Sequence, residues 1–489
     1  MKHDLYFPHR AQNLTRASGL LSAAFCCLAA AAEPFPAGIR RAQVHELLAG
    51  YLSQDAQIHR LTSELTLSTL RAQETDADTA LSMQLSSGTV TAVFGSEAGT
   101  SVQLAPSATV TMPAARGIGL TVSSSIDTAD AAESHHITDG SIAITAGITP
   151  GTQQSVKARK TAAQRNMALS RRSLRAGFLS AEQRFYKSLR SLYSSAVDMI
   201  DDQNDAEGSL DKLEKLREAG KSQDTVEYRL ARAAYLSDCT DADNNRRALE
   251  RGTRAFAQQC SAVYEGTDAL AFLPFTLPQP EPLDAGLFDR ASYLALEDAL
   301  YAHQYNTLVR SADSPLTVTG TAGCTAHKKI RAGTYKDTVD TGITVDTGAV
   351  TVTGGISVPT DHSAPVYTLG LSLNTAAIRT AGIRRRIRGT QEEQELTAIS
   401  DAEAEYDRFI SSSRSERTDL QYAFQQLQEL YEEYRAMAAD AQELYHTGAM
   451  TERAYRRILA DTEQYRLKSL MGAIDIILYN SSVRQKFAE

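Results

Sequence analysis

The chain has 489 residues, a formal net charge of -9 and 42% hydrophobic residues. Its acidic balance offers no basic face for nucleic acid, and its 29 Gly and 13 Pro are too few for a fibrous or disordered chain. We therefore expect a folded protein that does not bind nucleic acid.

The N-terminal segment has the pattern of a secretory signal peptide. Lys2 and Arg10 precede a small and apolar run over residues 20–32, which ends in four alanines before Glu33. A positive lead, a short apolar centre and small residues at the cleavage point are the features of an export signal. We predict that residues 1–32 are removed on export.

After this segment, two kinds of sequence alternate. One is charged and helix-forming, whereas the other is rich in Thr, Ser, Gly and Val and alternates apolar with polar residues. Period-two alternation is typical of strands with one apolar and one polar face. We predict a first repeat over residues 33–272, with a helix over 39–75, membrane strands over about 80–150, a long helix over 152–219 and a helix over 224–263.

A cluster of four prolines between residues 274 and 282 interrupts this series, and we predict a linker over residues 273–284. The same series then returns in a second repeat over residues 285–489. Its elements are a helix over 285–312, membrane strands over about 315–373, a long helix over 376–447 and a helix over 451–481. The recurrence of one element series indicates an internal duplication.

Both long helices are too extended for an ordinary globular domain. A helix of about 65 residues would reach about 100 Å. The second one carries apolar residues at alternating spacings of three and four from Leu420 to Leu444. That spacing is the seam of supercoiled helices, so we expect other long helices to cover it.

Three stretches together resemble one known family. The segment 444–451 reads as a helix end, a Gly and a restarted helix, and the segment 368–373, followed by 382–386, reads as a strand that leads into a long helix. Residues 277–278 and 314–316 read as a repeat linker and a strand that starts at Pro. In this order and with this duplication, the chain resembles the TolC-like outer-membrane factors over essentially its whole mature length.

The resemblance implies an α+β membrane protein that forms a homotrimer. Each chain would contribute four strands to a shared 12-stranded β-barrel in the outer membrane, and the long helices would continue it as an α-helical barrel across the periplasm. The implied function is a passive outer-membrane channel or exit duct of a tripartite efflux or type I secretion system. Its partners would be a periplasmic adaptor (membrane fusion) protein and an inner-membrane transporter.

The resemblance also implies functional residues at the periplasmic tip of the helices. The adaptor-docking turns would contain Gly220, Gly448, Thr225 and Thr451. Residues that could latch helix pairs or line the pore mouth are Asp224, Glu227, Tyr228, Arg229, Glu452, Tyr455 and Arg456. We also interpret Asp224 and Glu227 as a helix capping pair. The family often has Asp at the start of the restarted helix, whereas this chain has Val226–Glu227 and Ala454–Tyr455.

A periplasmic adaptor-like protein, which also has long helical hairpins, is the alternative interpretation. Strands before each long helix and the duplication of the whole series argue against it. A scaffold that has lost channel activity is a further alternative, because the tip lacks the usual Asp residues. An enzyme is not predicted, because the chain has no phosphate-binding Gly loop, Ser nucleophile elbow or supported pair of carboxylates.

We predict no cofactor and no metal ion. His135 and His136 are adjacent and lack the spacing of a metal-binding pair. Beyond the signal segment the cysteines are Cys239, Cys260 and Cys324. Their odd number and wide spacing do not indicate a disulfide framework.

Overall fold

The computed structural model describes residues 43–88, 90–95, 99–112, 118–131, 134–264, 266, 268–280, 283, 288–313, 316–328, 335–360 and 363–488. The predicted signal peptide, residues 1–32, lies outside these residues. So do the side chains of His135 and His136. In the described part the protein is α+β, with long helices and one antiparallel sheet.

The helical part includes two helices of about 70 residues. The helices are α1 (Val44–Ser53), α2 (Ala56–Asp78), α3 (Pro150–Glu218), α4 (Val226–Gln259), α5 (Ala269–Phe272), α6 (Leu294–Ala312), α7 (Thr375–His446) and α8 (Glu452–Arg484). Pro150 opens α3 at the first helical position, where a missing N–H costs little. At the start of α7, the N–H of Ala377 donates to Asn374 Oδ1 at 3.1 Å, which caps the helix.

The predicted single helix over residues 39–75 is wrong within the described residues, because it is divided at Gln54–Asp55. Asp55 Oδ1 accepts a hydrogen bond from the N–H of Gln57 at 2.8 Å. This carboxylate satisfies a free N–H group at the start of α2, so the chain ends α1 and restarts instead of continuing. The apolar residues repeat with helical spacing through both α1 and α2, so the sequence pattern does not show where one helix ends and the next begins.

The strands form one antiparallel sheet. They are β1 (Ser82–Ser86), β2 (Val90–Gly95), β3 (Gly99–Leu104), β4 (Ser107–Met112), β5 (Ile118–Ala131), β6 (Ser134–Ile148), β7 (Thr317–Lys328), β8 (Tyr335–Asp346), β9 (Val350–Pro359) and β10 (Val366–Leu373). Each strand is antiparallel to its neighbours in the sheet.

The first four strands are two long strands that are each interrupted once. Strand β4 pairs with β5 from Met112↔Ile118 to Ser107↔Ser123, and β3 resumes the same register at Leu104↔Ile126. Between them the Pro106 carbonyl still accepts from the N–H of Ser124 at 2.9 Å, while Pro itself cannot donate to the ladder. Strands β1 and β2 pair with β4 and β3 in turn. The described sheet therefore has eight long strands, four from each predicted repeat.

This count corrects the four strands per chain that the family resemblance implied. Two strands laid over residues 82–148 would each run about 100 Å, because a strand rises about 3.3 Å per residue. That length is far outside the range of ordinary strands, which run about 3–10 residues. The chain instead reverses three times within each repeat. Alternation along the sequence does not show where a strand reverses, so the extra hairpins were not predicted.

The two faces of the sheet differ in chemistry. One row of cross-strand partners on the first face is Met83, Val110, Leu120, Ala146, Gly320, Ile343, Gly354 and Leu369. The next row, on the opposite face, is Gln84, Thr109, Thr121, Thr145, Thr321, Gly342, Gly355 and Thr368. We call these the apolar face and the hydroxyl face. They follow from the period-two alternation that the sequence shows.

The chain divides into two compact units. The first comprises the described parts of residues 1–59, 176–284 and 412–485, and the second comprises those of 60–175, 285–411 and 486–489. In the first unit, Phe185, Leu189 and Tyr193 are buried on α3 with Leu249 of α4. The sheet lies in the second unit, where an aromatic cluster around Tyr293 includes Phe487, 5.6 Å away between ring centroids.

Two further properties concern the described residues as a whole. None of their helices is both long and apolar enough to cross a bilayer. Cys239, Cys260 and Cys324 are free thiols. Burial raises the pKa of the Cys260 thiol to about 12, so this group stays protonated and unreactive at neutral pH.

Candidate functional site

The candidate site consists of two hairpin turns in the first unit, one between α3 and α4 and one between α7 and α8. Gly220 has φ +72° and Gly448 has φ +75°, a left-handed conformation that Gly adopts without steric cost. The N–H of Lys221 donates to the Leu216 carbonyl at 3.1 Å, and the N–H of Ala449 donates to the Leu444 carbonyl at 2.9 Å. Both turns are therefore Schellman C-caps.

Each turn ends at a Thr that caps the next helix. The N–H of Tyr228 donates to Thr225 Oγ1 at 3.4 Å, and the N–H of Ala454 donates to Thr451 Oγ1 at 3.3 Å. The N-cap of α4 is therefore Thr225. The interpretation of Asp224 and Glu227 as a capping pair is wrong, because Asp224 lies one residue outside the helix.

In the first turn, the charged candidates pair with one another. Arg229 donates to Asp224 at 3.0 Å, and Lys221 lies 2.9 Å from Glu227. All four side chains are largely exposed, so each pair contributes little to stability. Tyr228 is buried. Tyr228 therefore lies in the interior, whereas the charged groups lie on the surface.

In the second turn, Tyr455 packs the start of α8 against the end of α7, and the two charged candidates pair with each other. The ring of Tyr455 stacks on that of Tyr445, with centroids 5.0 Å apart and planes at 7°. Arg456 pairs with Glu452 at 2.5 Å, four residues away on the same helix. A latch between helix pairs by Tyr455 and Arg456 stays a prediction.

An ion-pair cluster that the sequence did not predict joins the two hairpins. Arg453 of α8 donates to Asp211 of α3 at 2.5 Å and to Glu214 at 3.3 Å. Lys215 also lies 2.7 Å from Asp211. Its hydrogen bond, together with Arg453, holds the pKa of Asp211 below its ordinary value. No local pattern could have indicated this contact, because 242 residues separate Arg453 from Asp211.

The two turns present different surfaces. Val226 and Leu230 lie four residues apart on α4 and are 73% and 65% exposed, so they form an apolar pair on the surface. At the same distances from the Thr cap, α8 carries Glu452 and Arg456. The first turn is thus apolar where the second is charged. The described residues contain no cluster of three His, Cys, Asp or Glu side chains that could hold a metal ion.

Two family models match the chain. Residues 47–277 match the TP096X N-terminal domain, and residues 278–489 match the TP096X C-terminal domain. The boundary between the two matches lies within the predicted linker over residues 273–284. No curated protein matches this chain.

Several solved structures are similar to the chain at low sequence identity. The outer-membrane channel OprN is 15% identical with a TM-score of 0.43, over 90% of this chain and 88% of that chain. The outer membrane protein VceC from Vibrio cholerae is 12% identical with a TM-score of 0.44, over 91% and 96%. The MtrE outer membrane channel of Neisseria gonorrhoeae, in its open state, is 11% identical with a TM-score of 0.37, over 93% and 92%.

Proposed function

The chain belongs to the TP096X family, and from that premise we propose that it is a passive outer-membrane channel. It would be the exit duct of a tripartite efflux or type I secretion system. An inner-membrane transporter would supply the energy, and a periplasmic adaptor would connect the two. Export by the predicted signal peptide and location in the outer membrane are part of this proposal, which the sequence resemblance to TolC-like outer-membrane factors supports.

The two-faced sheet is the observation that carries the proposal. On the apolar face, Ile343 is 61% exposed although it lies on an inner strand. Soluble monomers rarely expose a contiguous apolar surface as large as one whole face of a sheet. Such a face is stable in contact with lipid. The hydroxyl face suits the water-filled interior of a pore, because lipid-facing and lumen-facing residues alternate along membrane strands.

We infer a homotrimer as the working form. The sheet has open edges, and the unpaired N–H and C=O groups of an open edge are not tolerated in a membrane. Further copies of the chain would close it. The long helices of those copies would then cover the apolar seam of α7, where Leu430, Met437 and Leu444 are each more than 40% exposed.

The two hairpin turns are the proposed adaptor-docking site. Val226 and Leu230 would make the apolar contact with the adaptor, and the charged second turn would form the rim. The double variant Val226→Asp/Leu230→Asp should abolish export in cells and leave single-channel conductance unchanged. Loss of both export and single-channel conductance would mean that Val226 and Leu230 stabilise the channel itself.

The first test is single-channel conductance of the mature protein in a planar bilayer, with its oligomeric state measured in detergent. We expect discrete conductance from a trimer. A trimer that inserts but does not conduct would indicate a tip that is closed until an adaptor binds. A soluble monomer without conductance in detergent or lipid would overturn the proposal in favour of an adaptor-like helical-hairpin protein.

A further inference from the structure

We propose that basic residues near the start of the two long helices bind the acidic headgroups of membrane phospholipids. We call these residues the basic belt; they are Lys157, Arg159, Arg379, Arg384, Arg385 and Arg386. The inference rests on the proposed channel function, which places the sheet in a membrane. It adds one class of partner, an acidic phospholipid, and the side chains that recognise it.

Charge is unevenly distributed along both long helices. The chain as a whole is acidic, with a net charge of -9. Residues 150–181 of α3 nevertheless contain seven Lys or Arg and no Asp or Glu, and residues 375–391 of α7 contain five and none. The first acids of the two helices are Glu182 and Glu392. Each long helix therefore carries only basic charges in the part that adjoins the sheet.

The sheet brings the two basic segments to the same end of their unit, although they are far apart in the chain. Ile148, two residues before α3, is aligned through β7, β8 and β9 with Leu371, four residues before α7. Strands β6 and β10 therefore leave the sheet at the same level. They are four strand spacings apart, or about 19 Å.

The belt lies just beyond the apolar face. Leu371 and Leu373 are 68% and 58% exposed at the end of β10, and Ile378 in the first turn of α7 is 50% exposed. A rise of 1.5 Å per residue places the belt about 6–17 Å beyond the first residues of the helices. The headgroup layer extends about 5–8 Å beyond the hydrocarbon core, and charges act over a Debye length of about 10 Å. With the apolar face in lipid, the belt is therefore within reach of the phosphates of one leaflet.

The acids near this end of the sheet are too few to neutralise the belt. Asp76 pairs with Lys160 at 3.1 Å, and Asp313 pairs with Arg388 at 2.9 Å, but neither base belongs to the belt. The last five residues of α2 hold two further acids, against six bases in the belt. All six bases are exposed, and none of them forms an ion pair with another described residue. The belt thus has unbalanced positive charge.

The chemistry of the α7 segment favours a lipid over a soluble anion. Arg384 lies four residues before Arg388, and like charges at this spacing destabilise a helix. A phosphate group relieves that repulsion, because guanidinium groups bind it through two parallel hydrogen bonds. Ile383 and Ile387, which are 61% and 51% exposed, lie among these arginines. A phospholipid contacts both the charges and the apolar side chains, and basic segments beside a membrane attract acidic lipids.

The dependence of stability on added phospholipid tests the assignment. The mature protein in a zwitterionic detergent is titrated with phosphatidylglycerol or with phosphatidylcholine, and its melting temperature is measured. We expect a saturable rise of several degrees with phosphatidylglycerol and little change with phosphatidylcholine. The difference between the lipids should disappear in about 1 M salt, where the Debye length falls to about 3 Å.

The variant Arg384→Gln/Arg385→Gln/Arg386→Gln should weaken the apparent affinity for phosphatidylglycerol at least about tenfold, because each basic residue near a membrane surface adds to the attraction. Lys at the same three positions keeps the charge and should restore most of the affinity.

The charge-matched control is Arg232→Gln/Arg247→Gln/Arg251→Gln on α4, which also removes three exposed arginines. It should leave the affinity unchanged. An equal loss of affinity in both triple variants would show that net charge, and not the belt, attracts the lipid.

Three other results would overturn the lipid assignment. They are equal stabilisation by both phospholipids, the same rise in melting temperature with inorganic phosphate, and a lower fraction of trimer for the belt glutamine variant in lipid-free detergent. The last result would mean that the arginines contact a neighbouring copy.

Single-channel conductance in a phosphatidylcholine bilayer separates this question from the proposed function. A protein that conducts there but does not prefer phosphatidylglycerol would contradict only the role of the belt. A protein that neither inserts nor conducts would contradict the proposed function, whichever lipid stabilises it in detergent.

Discussion

Arg453 of α8 donates a hydrogen bond to Asp211 of α3, with 2.5 Å between Nη1 and Oδ1. The contact ties the start of α8, just after the second turn, to the end of α3, just before the first turn. It therefore links the two turns of the candidate docking site through side chains on their adjoining helices.

The variant Arg453→Gln should loosen this link without unfolding the protein. The pair is partly exposed, so we expect only a small loss of stability, with faster hydrogen exchange in the first turns of α8 and at the end of α3. Exchange measured by mass spectrometry checks this result. The control is Arg456→Gln, which removes an ion pair within α8 and should leave exchange at the end of α3 unchanged. If both variants changed hydrogen exchange at the end of α3 equally, Arg453 would not be the residue that links α8 to α3.

The variant Gly448→Ala should destabilise the second turn by about 1 kcal/mol, because a side chain at φ +75° is strained. The matched control is Gly389→Ala on α7, where an added Cβ meets no atom within 4 Å. Helix propensity favours Ala there by roughly 1 kcal/mol, so this variant should be more stable. Thermal unfolding in detergent measures both. A control that is destabilised as strongly as Gly448→Ala would contradict the conformational reason.

The carboxylate of Glu395 makes the stability of its unit depend on pH in the acid range. Arg310 donates to its two oxygens at 2.8 and 2.9 Å, and His303 and Asn306 bind it as well. The Arg310 hydrogen bonds are the largest cause that lowers the pKa of Glu395 from 4.5 to about 2. Because the folded pKa is the lower one, the stabilisation is complete above pH 4.5 and is lost as the pH falls towards 2.

Glu395→Gln isolates this effect. At pH 7 the variant should melt several degrees below the unmodified protein, and the difference should shrink steadily between pH 4.5 and 2. Melting curves followed by circular dichroism at several pH values check it. A difference in melting temperature that stays constant down to pH 2 would show that packing, and not the charge, is responsible.

The two faces of the sheet should respond oppositely to one charge. Ile343→Lys places an ammonium group on the apolar face, which costs about 2–4 kcal/mol near the centre of a bilayer. Thr344→Lys, on the neighbouring residue of β8, places it on the hydroxyl face. We expect the first variant to lose outer-membrane insertion and the second to insert with an altered conductance. Insertion of Ile343→Lys at normal levels would show that this face does not contact lipid.

Local chemistry made part of the fold readable from the sequence. Gly220 and Gly448 mark the turns because only Gly adopts the left-handed C-cap without cost. The spacing of apolar residues distinguishes α3 and α7 from the strands, because side chains return to the same face every 3.6 residues on a helix and every two residues on a strand. The family resemblance rested on the order of these local signals.

Other features depend on tertiary structure because they join residues that are distant in the chain. The number of strands depends on where the chain reverses, for example between β5 and β6. The apolar and polar residues alternate in the same way on either side of such a turn, so the alternation does not show its position. The pairing of Arg453 with Asp211, and of Arg190 with Asp475 at 2.6 Å, depends on which helices become neighbours. The sequence by itself determined the element types, the Gly turns and the two-faced strands. Only the tertiary structure decided the eight long strands, their open edges and the ion pairs between hairpins, because these arise from contacts that no local pattern encodes.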